Sequence, residues 1–259
     1  MAGDERGGGQ SRWIVRTQKS KSPTFRLFCF PHAGGNASCF HSWAELLPHD
    51  IEVCAVEFPG RQRRRNEPPY LRMTMLARSL ELELQQYLDV PFALFGNCTG
   101  SLVAFELARR LRKRNLPMPS QLFVTCCRAP QLPERGTLLH ALPVAILVDQ
   151  LRRLGGTPPQ LLDNPQMIEI LLPCLRADFE LAETYRYTAG EPFDFQITAI
   201  GGYRDDFVEE WEIDAWAEHS RLKLDKHLLD EGHYLVESAQ SAIIKILAER
   251  IAAPAETIE

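Results

Sequence analysis

From Phe25 onward, short apolar runs alternate with longer stretches whose apolar residues recur at helical spacing. That is the pattern of strands and crossover helices around a mostly parallel sheet. Strands are predicted at 25–30, 51–56, 92–95, 122–127 and 195–200, and helices over about 73–88, 99–114, 207–218 and 236–252. Residues 131–190 break the alternation: they carry helical patterning, Gly155-Gly156, Pro158-Pro159 and Pro173, but no strand. Roughly 60 residues bury too little surface to stand as a domain, so this segment reads as a helical lid inserted into a core of 23–130 and 191–259. Residues 1–22 are rich in Gly, Ser, Arg and Lys and read as a flexible start.

The strand at 92–95 runs into Gly96-Asn97-Cys98-Thr99-Gly100, and the apolar helix Ser101-Leu102-Val103-Ala104-Phe105 follows at once. A Gly-x-Ser/Cys-x-Gly pattern is weak alone, but between a strand and a helix it is a nucleophile elbow. The flanking glycines leave room for a strained turn that exposes the nucleophile at a helix N-terminus, where the helix dipole favours the thiolate of Cys98. These features predict an α/β-hydrolase fold, a mostly parallel central sheet flanked by helices. That fold orders its catalytic groups as nucleophile, acid, histidine. Asp205 and Asp206 follow the strand at 195–200, and His233 lies in a loop before the last helix. The backbone N–H groups of Thr99 and of Ala33, in Phe30-Pro31-His32-Ala33-Gly34-Gly35, are the expected oxyanion donors. His32 is read as shaping that loop, and His41, His49, His140, His219 and His227 as core or surface residues.

Composition narrows the class. The chain has 259 residues, 45% of them hydrophobic, enough for one catalytic domain. Its net charge of −5 gives no field for nucleic acid or an anionic membrane, and no stretch approaches the roughly 20 apolar residues of a membrane span. The expected location is the cytoplasm. Seven cysteines, at 29, 39, 54, 98, 126, 127 and 174, lack the paired spacing of zinc sites. Six of them read as buried thiols in a reducing compartment. Arg61, Arg63, Arg64 and Arg65 read as a solvated basic run, with a dock for an acidic partner as the lesser alternative. Arg109, Arg110, Arg112, Lys113 and Arg114 read as a solvated helix end. Leu138, Leu139, Leu147, Leu151, Leu161 and Leu162 read as lid packing against the core before acyl-channel lining, and Phe40 and Trp43 as core.

Taken with Phe58-Pro59-Gly60-Arg61, Gly155-Gly156-Thr157-Pro158, Leu172-Pro173, Leu175-Arg176-Ala177-Asp178-Phe179, Tyr185, Gly201-Gly202 and Gly232-His233, the sequence from about Phe25 to Leu247 resembles the type II thioesterases. These accompany polyketide and nonribosomal peptide synthases and are related to the medium-chain thioesterase of animal fatty acid synthesis. The resemblance implies hydrolysis of acyl groups from the phosphopantetheine thiol of an acyl or peptidyl carrier protein. It also implies a triad of Cys98, Asp205 and His233, with Asp205 favoured over Asp206, and no metal or dissociable cofactor. The chain departs from the family in having Asn97-Cys98-Thr99 where His-Ser-Met is usual, and Asp206 where a proline commonly follows the acid. A cysteine acyl-enzyme is itself a thioester, so transfer to an amine, alcohol or thiol stands beside hydrolysis as an expectation. A binding module without turnover is a third, weaker one.

Overall fold

The computed structural model describes residues 11–17, 22–133 and 135–253. In chain order these form β1 (Ile14–Thr17), β2 (Phe25–Phe30), α1 (Trp43–Leu46), β3 (Ile51–Val56), α2 (Met73–Leu84), β4 (Phe92–Asn97), α3 (Thr99–Lys113) and β5 (Gln121–Thr125). There follow α4 (Val144–Leu154), α5 (Pro159–Leu162), α6 (Pro165–Glu183), β6 (Gln196–Gly202), α7 (Glu210–Asp214), β7 (Asp225–Leu229), α8 (Leu235–Ser238) and α9 (Gln240–Ala252). The strands make one sheet in the order β1-β3-β2-β4-β5-β6-β7. β1 runs antiparallel to β3, and the remaining pairs are parallel.

Side-chain alternation along the strands divides the core into two layers. Phe28, Phe30, Cys54, Val56, Leu94, Leu122 and Val124 face α2 and α3. Leu27, Cys29, Val53, Ala55, Phe95 and Phe123 face the opposite way, with Phe40, Trp43 and the α9 residues Ile243 and Leu247. Phe40 and Trp43 are therefore core, as expected. α4, α5 and α6, between β5 and β6, enclose a smaller apolar cluster of Leu147, Leu151, Leu162, Ile168 and Leu175. Among the described residues no helix is long and apolar enough to cross a membrane.

Four local readings change. Most of the segment read as a flexible start, 1–10 and 18–21, lies outside the described residues, but Ile14–Thr17 is an edge strand. Trp13 anchors it, its ring tilted 42° against that of Tyr70 and lying beneath the Arg64 guanidinium at 3.9 Å. Strand β7 went unpredicted because its five residues are all half-buried and show no apolar alternation. Arg250 of α9 holds it by a fork on Asp225 at 2.6 and 3.0 Å. The helix expected over 207–218 begins only at Glu210, because Glu209 and Glu212 form a capping box there, and it continues as a 3-10 turn, Ala215–His219. The arginines ending α3 are engaged with protein, not merely solvated: Arg110 binds the buried Glu81 of α2 at 2.8 Å, and Arg109 and Arg112 donate to the carbonyls of Thr188 and Pro192.

Candidate active site

The chain leaves β2 towards β3 on one side, while β4 lies on the other, so the loops after β2 and β4 diverge. In open α/β sheets a crevice forms at such a switch point, outside the carboxyl ends of the strands. Cys98 stands there, at the end of β4, with φ +50° and ψ −116°, a conformation rare for any side-chain-bearing residue. The surroundings hold it. Cys98 N–H donates to Thr125 O at 2.9 Å, and Ser101 Oγ–H donates to Gly96 O at 2.8 Å. The turn also explains the elbow glycines, since a Cβ on Gly96 would overlap the Ser101 backbone and one on Gly100 would overlap the carbonyl of Phe30.

His233 and Asp205 reach the crevice from the loops after β7 and β6. The Nδ1–H of His233 donates to both carboxylate oxygens of Asp205, at 2.9 and 3.1 Å. Asp205 also accepts the N–H groups of Phe207 and Val208 at 2.8 and 3.1 Å, which fixes its orientation. Its neighbour Asp206 is exposed on the outer groove. Burial raises the Asp205 carboxyl pKa, but the hydrogen bond and charge of His233 outweigh it and hold Asp205 below the ordinary range. Burial likewise raises the Cys98 thiol, yet the charge and hydrogen bond of His233, with the Thr99 N–H, bring it below its ordinary 9.0. For His233, burial lowers the pKa, and Cys98 and Asp205 together raise it well above the usual imidazole value. The pair therefore favours thiolate and imidazolium. Because the lowered pKa enlarges the thiolate fraction below 9.0, iodoacetamide should alkylate Cys98 faster at neutral pH than it alkylates an unpaired thiol. His233→Ala should slow that reaction at least about tenfold at pH 7, with the difference closing only well above pH 9 because burial then raises the thiol unopposed by His233, read as rate against pH.

A residue that sequence reasoning left as a strand end, Cys126, also reaches this site. One ligand atom each from Cys126, Asp205 and His233 lie within 4.8 Å of one another. It is buried and has φ +44°. Burial and the nearby Asp205 charge push its thiol well up, keeping it neutral. Asp205 and His233 already satisfy each other, and a neutral thiol is a poor metal ligand. The sequence signal was position alone: Cys126 directly follows β5, the strand beside the elbow strand.

Ala33 and Thr99 line a cavity of about 230 Å³ together with Cys98 and His233. Leu102, Leu139, Leu151, Phe179 and Phe207 make much of its wall. Leu139 and Leu151 thus line the cavity, Leu147 and Leu162 pack within the inserted helices, and Leu138 is exposed. His32 accepts from Asn97 Nδ2 at 3.3 Å, and Asn97 accepts from Thr125 Oγ1 at 3.1 Å. Burial, with the charges of Arg61 and His233, pushes His32 down to about 3. It stays neutral and braces the loop, as its position implied. Of the remaining histidines, His219 is buried against Phe105 and Trp216.

The basic run divides into two classes. Arg63 and Arg65 are exposed, but Arg61 and Arg64 are buried, the first gripping Asp178 of α6 and the second lying over Trp13. An all-solvated reading fails because the side chains at 61 and 64, three residues apart on a 3-10 turn, point inward. Cys39 is partly exposed, whereas Cys29, Cys54, Cys127 and Cys174 are buried.

The thioesterase-domain family model matches residues 25–251. Gramicidin S biosynthesis protein GrsT of Aneurinibacillus migulanus is 35% identical over 241 residues, 93% of this chain and 94% of that protein. Thioesterase PikA5 of Streptomyces venezuelae is 32% identical over 92% of this chain and 85% of its own length. Among solved structures, the type II thioesterase BorB from the borrelidin biosynthetic cluster superposes with a TM-score of 0.85 at 35% identity, covering 92% of this chain and 97% of BorB. With this match over nearly its whole described length, the chain belongs to the type II thioesterase family.

Proposed function

We propose that this enzyme hydrolyses acyl groups from the phosphopantetheine thiol of acyl or peptidyl carrier proteins in polyketide or nonribosomal peptide synthesis, through an acyl-Cys98 intermediate. The observation that carries the reading is the line Cys98, His233, Asp205 at the sheet's switch point beneath an apolar cavity. The thiolate of Cys98 attacks the thioester carbonyl carbon, and the N–H groups of Ala33 and Thr99 receive the developing oxyanion. As the tetrahedral adduct collapses, the C–S bond to pantetheine breaks and His233 gives its Nε2 proton to the leaving sulfur. Neutral His233 then takes a proton from water, whose oxygen attacks the acyl-cysteine. Collapse releases the carboxylic acid, and Cys98 returns to the thiolate state. Asp205 keeps the Nδ1 proton on His233 and stabilises its imidazolium form.

The inserted segment 131–190 acts here as the lid over the acyl group, on the core made by 23–130 and 191–259. The cytoplasm, where thiols stay reduced, suits a working thiolate. Exchange of one thioester for another leaves the acyl group activated, which favours a second acceptor wherever an amine or alcohol competes with water. Intact-mass spectrometry after mixing with acyl-carrier substrates should show the chain heavier by one acyl group, lost on Cys98→Ala. Free acid as the product supports hydrolysis, an acyl-amine or ester supports transfer, and multiple turnovers with no Cys98 requirement would defeat both.

A further inference from the structure

The direction of the Ala33 N–H is set by its own peptide plane and by the three that follow. The carbonyl of that first plane, His32 O, accepts from Gly35 N–H at 2.9 Å. In the next, Gly34 N–H donates to Asp178 Oδ2 at 2.7 Å, and two planes further on Gly35 O accepts from Arg61 Nη1 at 2.7 Å. Arg61 in turn clasps Asp178 with a two-pronged fork, Nη1 to Oδ2 at 2.8 Å and Nη2 to Oδ1 at 2.7 Å. Both side chains are buried, 6% and 10% exposed, so little water is at hand to replace either partner.

Asp178 belongs to α6, within the inserted segment, not to the sheet core. One turn earlier on the same helix, Leu175 occupies the space where a Cβ on Gly34 would stand, and Gly34 has φ +76°. Phe179, Ala182 and Glu183, further along α6, line the cavity. A single helix therefore carries part of the cavity wall and the acceptor that holds the oxyanion loop.

We infer that Asp178 and Arg61 are positioning residues that couple the seating of α6 to the alignment of the Ala33 N–H, so that the oxyanion hole is complete only when the lid helix is in place. The inference rests on Cys98 as nucleophile and Ala33 as oxyanion donor. Failure of that reading shows separately, as turnover by Cys98→Ala. Asp178→Asn keeps the shape but offers one acceptor oxygen where two are used, leaving the Arg61 charge short of its counter-ion. Arg61→Lys keeps the charge and loses the fork.

Two reactions of Cys98 distinguish alignment from general damage. Acylation by a thioester builds an oxyanion, whereas alkylation by iodoacetamide builds none. Asp178→Asn should slow acylation about 100-fold, through kcat with KM little changed, and Arg61→Lys about tenfold. In both variants the rate and pH dependence of alkylation and the thermal unfolding midpoint should match the parent enzyme. Unchanged acylation overturns the inference. So does an equal fall in both reactions, or loss of the folded state in both variants, because the pair would then be a structural clamp without a specific hold on the oxyanion donor.

Discussion

Cys98→Ala should lower turnover of acyl-carrier thioesters by roughly 10⁴-fold or more, to the residual level that binding and the oxyanion donors sustain alone. The side chain lies at the cavity floor and makes no hydrogen bond that the fold requires; Thr125 is held by the Cys98 backbone. The variant should therefore fold, and circular dichroism together with carrier-protein binding should match the parent. Cys98→Ser gives a sharper comparison. A serine hydroxyl does not ionise to pair with His233, so the imidazole pKa should fall towards its ordinary 6.5, read by NMR titration of the ring. Hydrolysis should continue, because the geometry is kept, but the acyl-serine is an oxyester and should pass its acyl group to added amines less readily. Full activity in Cys98→Ala would remove the thiol from the mechanism.

Asp205→Asn should lower kcat by about 10³- to 10⁴-fold, with a smaller effect on KM. An amide still accepts the N–H groups of Phe207 and Val208 through one oxygen, so the loop retains its shape. It carries no charge for the imidazolium, and its NH₂ favours the tautomer that leaves Nε2 protonated and unable to act as a base. The ion pair with Cys98 weakens, and the thiol pKa rises towards 9.0. Iodoacetamide alkylation at pH 7 should slow accordingly, while the reaction above pH 9 should change little. Asp206→Asn is the control, and a larger loss there than in Asp205→Asn would reassign the acid.

Much of the site was legible because its signals are local. The elbow needs glycines two positions either side of a residue at φ +50°, all within five consecutive residues. His233 stood out from its position in a Gly-His loop before the last helix. Asp178 and Arg61 lay inside noticed motifs, yet their partnership joins residues 117 positions apart. Nothing in Arg61-Gln62-Arg63-Arg64-Arg65 says which guanidiniums turn inward; the packing of Trp13 and α6 decides it. Cys126 was hidden for the same reason, since only the pairing of β5 with β4 and β6 brings its thiol to Asp205.

The sequence by itself determined the order of core strands and helices, the strand-turn-helix elbow and the helical stretch before β6. Each rests on periodicity or on backbone sterics within a few residues. It missed β1 and β7, edge strands with one neighbour each and no clean apolar alternation. Asp205, favoured over Asp206 by the family resemblance, is the one that meets His233, while tertiary structure alone decided which arginines are buried and that α6 holds the loop after β2. Those outcomes depend on where distant segments meet once the sheet and its helices pack, because a buried charge keeps only the partner that packing places within hydrogen-bond reach.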